Sequence, residues 1–221
     1  MKTKFWILLI VTGIIFSACK KDDDIVKVPI FENGKLNLKN FAASLPASAR
    51  VIVEHPSESS DAYFNVTLSD AGHLDGQYQA WCIQTGVGIK PGNRNSATVH
   101  SSYESLPDYD KIFLNRLNWI INQDFVKQGY SYGEVQIALW TLKHGYTVLN
   151  EDVSAELYNT RPPNPFDPES IGEWNKEKVN EILTLAAGIS DYVPEFGGVI
   201  AVIFIDQDNQ DLAVKYTLPS E

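Results

Sequence analysis

The chain has 221 residues, with 18 lysines and arginines against 28 aspartates and glutamates, a formal net charge of −10. That balance excludes a nucleic-acid binder, whose phosphate partner requires a basic patch, and argues against electrostatic docking on anionic lipid. The length suffices for one good core or two small ones, and five Trp, ten Tyr and ten Phe suit a β-rich exported domain.

The first eighteen residues read as a signal peptide. Lys2 and Lys4 form a basic start, and Phe5 to Phe16 is an apolar run broken only by Thr12 and Gly13. That run is too short to span a bilayer as a helix. Ser17-Ala18-Cys19 resembles a bacterial lipobox, with Phe16 where leucine is usual. The resemblance implies cleavage before Cys19 and its acylation; several acyl chains on one residue anchor stably, whereas one binds marginally. Lys20-Lys21-Asp22-Asp23-Asp24 is either a solvated spacer or, by its resemblance to the tag of some Gram-negative surface lipoproteins, an export signal. The expected organisation is therefore leader 1–18, lipidated acidic tether 19–44, and one domain over 45–221, exported and lipid-anchored at the outer membrane or cell surface.

Residues 49–54 and 62–69 read as strands by their β-branched and aromatic content, with the segment from His55 to Asp61 as the turn between them. Gln77 to Ile83 reads as a third strand. The Gly, Pro, Asn and Ser content from Thr85 to Ser102 predicts a long loop, of the kind that is functional or mobile in compact domains. Asp108 to about Phe125 places Phe113, Leu117, Ile120 and Ile121 on one helical face. Ser131-Tyr132-Gly133-Glu134 is a capping box that starts a second helix, running to about Lys143. Pro162 to Pro168 excludes regular structure, and a further helix spans Asn175 to Ala187 with Gly188 at its end. A hairpin, Gly198–Ile205 and Leu212–Leu218, closes the chain. The fold class is α+β, an antiparallel sheet or barrel with an inserted helical portion.

Two short motifs carry the chemistry. With Cys19 acylated, Cys82 has no partner for a disulfide, an unusual state for an exported protein. It is either a buried, inert hydrophobe or a reactive group. Cys82 lies in Ala80-Trp81-Cys82-Ile83-Gln84 on a strand, and Val135-Gln136-Ile137-Ala138-Leu139-Trp140 follows on a helix. This pair resembles the signature of the bacterial thioester domain family, over roughly residues 45 to 218. Many members carry threonine where this chain has Val135, and the best-known ones are Gram-positive adhesins on stalks.

The resemblance implies an internal thioester, with Cys82 as thiol donor and later leaving group and Gln136 as acyl donor. It implies a single-use covalent binder and not a turnover enzyme: an adhesin that captures amine groups on a host or neighbouring-cell surface protein. Chemically, a thiol displaces ammonia from an amide only when held close and aligned, an advantage that can reach roughly 7–11 kcal/mol, with a fixed donor at the developing oxyanion. Gln136 lies near the start of its helix, where free N–H groups and the positive dipole end would supply that donor. Trp81 and Trp140 flank both motifs and would keep water off the bond, unless they are ordinary core aromatics. His100, in the polar loop after Cys82, is a supporting candidate for proton transfer, or a plain surface histidine. No cofactor or metal is expected, because Asp206-Xaa-Asp208-Xaa-Gln210 lacks the glycine and final glutamate of a calcium loop and reads as a turn. Two other classes stay open: a non-covalent glycan- or protein-binding lipoprotein, and a cysteine protease or acyltransferase.

Overall fold

The computed structural model describes residues 30–54, 61–84, 92, 94–144, 174–206 and 209–220. Among them the elements in chain order are β1 (Phe31–Glu32), β2 (Lys35–Leu36), α1 (Leu38–Ser44), β3 (Ser48–Glu54), β4 (Phe64–Ser69), β5 (Gly76–Cys82) and β6 (Arg94–Ser101). They continue with α2 (Lys111–Ile121), α3 (Tyr132–His144), α4 (Lys176–Ala187), β7 (Val199–Ile205) and β8 (Leu212–Thr217). The leader, Cys19, the acidic run and the proline-rich segment lie outside the described residues.

Six strands close into an antiparallel barrel in the order β3-β4-β5-β8-β7-β6. The late hairpin β7–β8 inserts between β5 and β6, so the sheet has no free long edge to template aggregation. Residue alternation gives the interior. Ala49, Val51 and Val53 of β3 face inward in register with Leu68 and Val66 of β4 and Ala97 of β6. Phe204 and Val202 of β7 pair with Leu212 and Val214 of β8, which pair in turn with Cys82 and Ala80 of β5. β7 is apolar on both faces because helix α2 covers its outer side, so its sequence Val-Ile-Ala-Val-Ile-Phe-Ile shows no polar alternation.

Helices α2, α3 and α4 lie between β6 and β7 in the chain, as the inserted portion expected from the sequence. Helix α3 is buried from Gly133 to Thr141 without a break. A helix apolar around its whole circumference is a core helix, and α3 is packed between the barrel and helices α2 and α4.

Two expectations change. The expected long loop from Thr85 to Ser102 contains a strand: Arg94–Ser101 forms β6, which closes the barrel against β3 and β7. Its outward positions are polar (Ser96, Thr98, His100) and its inward ones small or short (Ala97, Val99, Ser101), so little apolar content signals it. The folded part also begins before residue 45. Asn33 and Gly34, both at positive φ, make the tight turn joining β1 to β2. Phe31 stacks on Phe196 at 3.8 Å between ring centroids, and Phe41 of α1 lies in the core.

Candidate functional site

The capping box forms as the sequence requires. Glu134 N–H donates to Ser131 Oγ at 3.1 Å, and Ser131 N–H donates to Glu134 Oε2 at 2.7 Å. The other oxygen of Glu134 accepts from Asn175 N–H at 2.9 Å, which ties the start of α3 to the start of α4. The start of α3 is thereby fixed, and Gln136 projects from its second turn toward β5.

Strand β5 presents an unpaired stretch of backbone at that point. Ile83 N–H donates to Asp211 O toward β8. One residue earlier, the N–H and C=O of Cys82 therefore point to the opposite edge. There β4 has left the ladder after the pair Phe64–Ala80. Gln136 takes the vacant place. Cys82 N–H donates to Gln136 Oε1 at 2.9 Å, and Gln136 Nε2 donates to Cys82 O at 2.7 Å. The side-chain amide thus pairs with the backbone as a neighbouring strand would. Cys82 and Gln136 are both 0% exposed.

The sulfur itself points inward. Cys82 Sγ donates to Gln210 Oε1 at 2.8 Å. Gln210 is held by its Nε2, which donates to Gln84 O at 3.2 Å, while Gln84 Oε1 accepts from Asp211 N–H at 3.1 Å. The Asp211 carboxylate accepts from Tyr109 O–H at 2.5 Å and from Asp206 N–H at 3.2 Å. Burial, and after it the negative charge of Asp211, push the Cys82 thiol well above its ordinary range. Burial likewise raises Asp211, although its bond to Tyr109 opposes the shift. The resting site holds a neutral thiol.

The other expected site residues take different places. Trp81 faces away from Cys82, as adjacent strand residues must, and lines a small cavity with Ile120, Ile121, Phe125 and Val135 under the helices. Its ring N–H is buried without a hydrogen-bond partner among the described residues. Trp140, one turn after Gln136 on α3, packs edge-on against Tyr63 at 5.7 Å. The two indoles flank the site from different sides, and both also serve as core. His100 sits on the outer side of β6, with Nδ1 at 3.2 Å from Glu104 and Nε2 at 3.0 Å from Thr98. Its contacts are these and not Cys82 or Gln136, so it is not brought to the sulfur. Gln136 Oε1 accepts from Cys82 N–H, where the sequence reading expected a donor from the start of α3. Gln210, Gln84, Asp211 and Tyr109 were missed by sequence reasoning. Gln210 had one signal: it falls in phase with inward-facing Leu212 and Val214, where an amide is out of place without a partner.

Helix α2 makes a second amide pairing of the same form. Val199 N–H donates to Asn122 Oδ1 at 2.8 Å, and Asn122 Nδ2 donates to Val199 O at 2.7 Å. It completes β7 where β6 has ended, with no thiol present. Asn118 Oδ1 likewise accepts from Ala201 N–H at 2.8 Å, so among the described residues side-chain amides serve the ladder at β5 and β7, and the one at β5 pairs with a cysteine.

No protein-family model matches the sequence, and no curated protein matches it. Solved structures similar to this chain include the N-terminal thioester domain of fibronectin-binding protein SfbI from Streptococcus pyogenes. That likeness has 16% identity and a TM-score of 0.45, covering 87% of this chain and 100% of that one. The N-terminal domain of the Streptococcus pyogenes pilus tip adhesin Cpa is similar at 12% identity and TM-score 0.44, covering 78% and 94%. The N-terminal thioester domain of a surface protein from Clostridium perfringens is similar at 12% identity and TM-score 0.44, covering 77% and 99%. At these identities and TM-scores no residue role passes from those proteins to this chain, and the roles of Cys82 and Gln136 rest on their own geometry.

Proposed function

We propose that Cys82 and Gln136 close an internal thioester and that the protein uses it to capture an amine on a partner. The observation that carries this is the two-point pairing of the Gln136 amide with the Cys82 backbone. It supports the need for a fixed donor at the oxygen, while the sulfur, held on Gln210 Oε1 at 2.8 Å, must turn from it to reach the Gln136 carbon. The amide is immobilised beside the residue that bears the nucleophile, and Cys82 N–H already donates to the oxygen that becomes negative when sulfur adds. Loss of a donor of that kind typically slows acyl transfer by about 10²–10³-fold. In the step, the C–S bond forms, the C–N bond breaks, and the thiol proton leaves with the nitrogen as ammonia. Capture reverses the pattern: an amine nitrogen bonds the Gln136 carbon, the C–S bond breaks, and the amine proton passes to sulfur. Gln136 ends as a substituted amide and Cys82 as a free thiol, so each molecule acts once.

A protease or acyltransferase is disfavoured by the same site. Such enzymes work through a thiolate stabilised by a histidine or a helix N-terminus, whereas Cys82 is neutral, ends a strand and, among the described residues, contacts no histidine. The second reading makes Gln210 the acyl donor, favoured by the sulfur lying 2.8 Å from its Oε1; ammonia loss that persists in Gln136→Ala and disappears in Gln210→Ala would establish it.

Burial sets the kinetics. Because both reacting residues are inaccessible, an amine reaches the bond only after a local opening. Methylamine incorporation, followed by intact mass, is expected to saturate as its concentration rises, the plateau being the opening rate. A rate that stays proportional to amine at all concentrations would contradict capture gated by a local opening. No mass change at any concentration, in protein that has already lost ammonia, would leave the bond as a structural staple.

The partner is proposed to be a host or neighbouring-cell surface protein presenting amines, with the chain lipid-anchored at Cys19 on the outer membrane or cell surface. Among the described residues no helix is long and apolar enough to cross a membrane. Full-length protein should sediment with membranes and Cys19→Ser should release it or leave it unprocessed. Equal membrane association of the two would remove the lipid anchor.

A further inference from the structure

We propose that Tyr109 is the gate of the site: its O–H clasps Asp211 over the approach to Cys82, and the local opening that admits an amine is the parting of that clasp. Its part in capture rests on the thioester reading, and it is the same whichever glutamine is the acyl donor. Cys82 is 0% exposed, so a covering group must move before anything reaches the sulfur. Tyr109, itself 6% exposed, stands where three covering elements meet. Its ring stacks on Phe113 in the first turn of α2, with centroids 6.0 Å apart. Lys143 Nζ, from the last turn of α3, lies 4.1 Å from the ring centroid. The Tyr109 O–H donates to the carboxylate of Asp211, one residue before β8, at 2.5 Å. Asp211 is fastened in turn to the two residues that follow the thiol: its carbonyl accepts from Ile83 N–H, and its N–H donates to Gln84 Oε1. The clasp thus ties the helical side of the molecule to the end of β5.

This is the part of the cover that can move alone. Helix α3 is buried from Gly133 to Thr141, and β8 is laddered to strands on both sides, so displacing either disrupts the core. Tyr109 lies between β6 and α2, and its bridge pairing is local, to Leu106. It can swing out without breaking the barrel, the kind of low-cost opening that precedes global unfolding. What resists the swing is an O–H bond to a carboxylate, which belongs to the strong, charge-assisted class. Burial, and after it the bond to Asp211, hold the Tyr109 hydroxyl protonated far above its ordinary range, so the donor is present at any working pH. Removing the hydroxyl while keeping the ring leaves the stacking and releases the clasp, which speeds opening by about 10- to 100-fold.

The test measures two rates in the full chain, wild type and Tyr109→Phe: the plateau of methylamine uptake, and alkylation of Cys82 by iodoacetamide, read on the peptide that contains it. Alkylation is followed after methylamine treatment, when the sulfur is free whether or not a bond had formed. Tyr109→Phe is expected to raise both rates by about tenfold or more. Asp211→Asn, which keeps an acceptor but loses its charge, should fall between that variant and wild type, and it decides the matter if Tyr109→Phe does not fold. Phe41→Leu separates the gate from general loosening. Phe41 packs on Tyr216, four residues along β8 from the Leu212 that pairs with Cys82, about 14 Å away at the rise of a strand. It should lower the denaturation midpoint and leave both rates unchanged. Wild-type rates in Tyr109→Phe, or rates that rise in Phe41→Leu and Tyr109→Phe alike in proportion to lost stability, overturn the proposal. Wild type that never loses ammonia removes the thioester reading, and the alkylation rates then decide the gate by themselves.

Discussion

Freshly purified protein is expected to weigh one ammonia less than its processed sequence, and Cys82→Ala and Gln136→Ala are each expected to restore the full mass. The effect is all or none, because the bond needs both the sulfur and the acyl carbon. It is read on denatured, unreduced protein, where a thioester survives and a hydrogen bond does not. Gln136→Glu separates geometry from chemistry. Its carboxylate can still accept from Cys82 N–H, but it offers no ammonia to lose and resists thiol attack, so that variant should fold and stay open. The Asn122–Val199 pairing provides the internal control, since the same amide geometry without a thiol should yield no mass change in Cys82→Ala. A wild-type mass equal to the unmodified chain would leave Gln136 with the structural role that Asn122 has. Conjugation to a macromolecular partner should follow the same pattern: a product that survives boiling in detergent and is absent in Cys82→Ala.

Trp140→Ala is expected to lower stability by about 3–5 kcal/mol, the usual cost of emptying a fully buried tryptophan site, measured as a drop in denaturation midpoint at constant slope. Trp140 is fully buried in α3, one turn from Gln136, with Tyr63 edge-on to its ring. The cavity would loosen the helix that positions the amide, so any thioester that forms should hydrolyse faster than in wild type. Trp140→Phe should recover most of the stability by refilling part of the volume. If Trp140→Ala unfolds at the wild-type midpoint, the packing of α3 against β4 and its flank is not what holds Gln136 in place. If stability falls but hydrolysis is unchanged, Trp140 is core alone and the water-excluding role assigned to it fails.

What the sequence determined by itself was local. The capping box at Ser131 and Glu134 sets the start of α3, because those side chains satisfy backbone groups within one turn. The steps of Phe113, Leu117, Ile120 and Ile121 set α2, and two apolar runs on either side of the polar segment from Asp206 to Asn209 set β7 and β8. The α+β class followed from this order of elements, as did the strand-then-helix placement of Cys82 and Gln136. Strand β6 was hidden because its outer face is polar and its inner residues small, so neither apolar content nor turn signals separated it from loop. The hairpin and helix before residue 45 were hidden because their burial depends on Phe196 and the barrel, far along the chain.

The site needed the tertiary structure for a different reason. Which backbone groups are left unpaired is a property of where two strands part, and no single segment carries it. Only the departure of β4 after Phe64 opens the Cys82 N–H and C=O to Gln136. Only the insertion of β8 beside β5 brings Gln210 to the sulfur and Asp211 into the same buried hydrogen-bonded network. The sequence singled out Cys82 and Gln136; closure of the barrel decided that the Gln136 amide meets the Cys82 backbone and that the amide facing the thiol is that of Gln210.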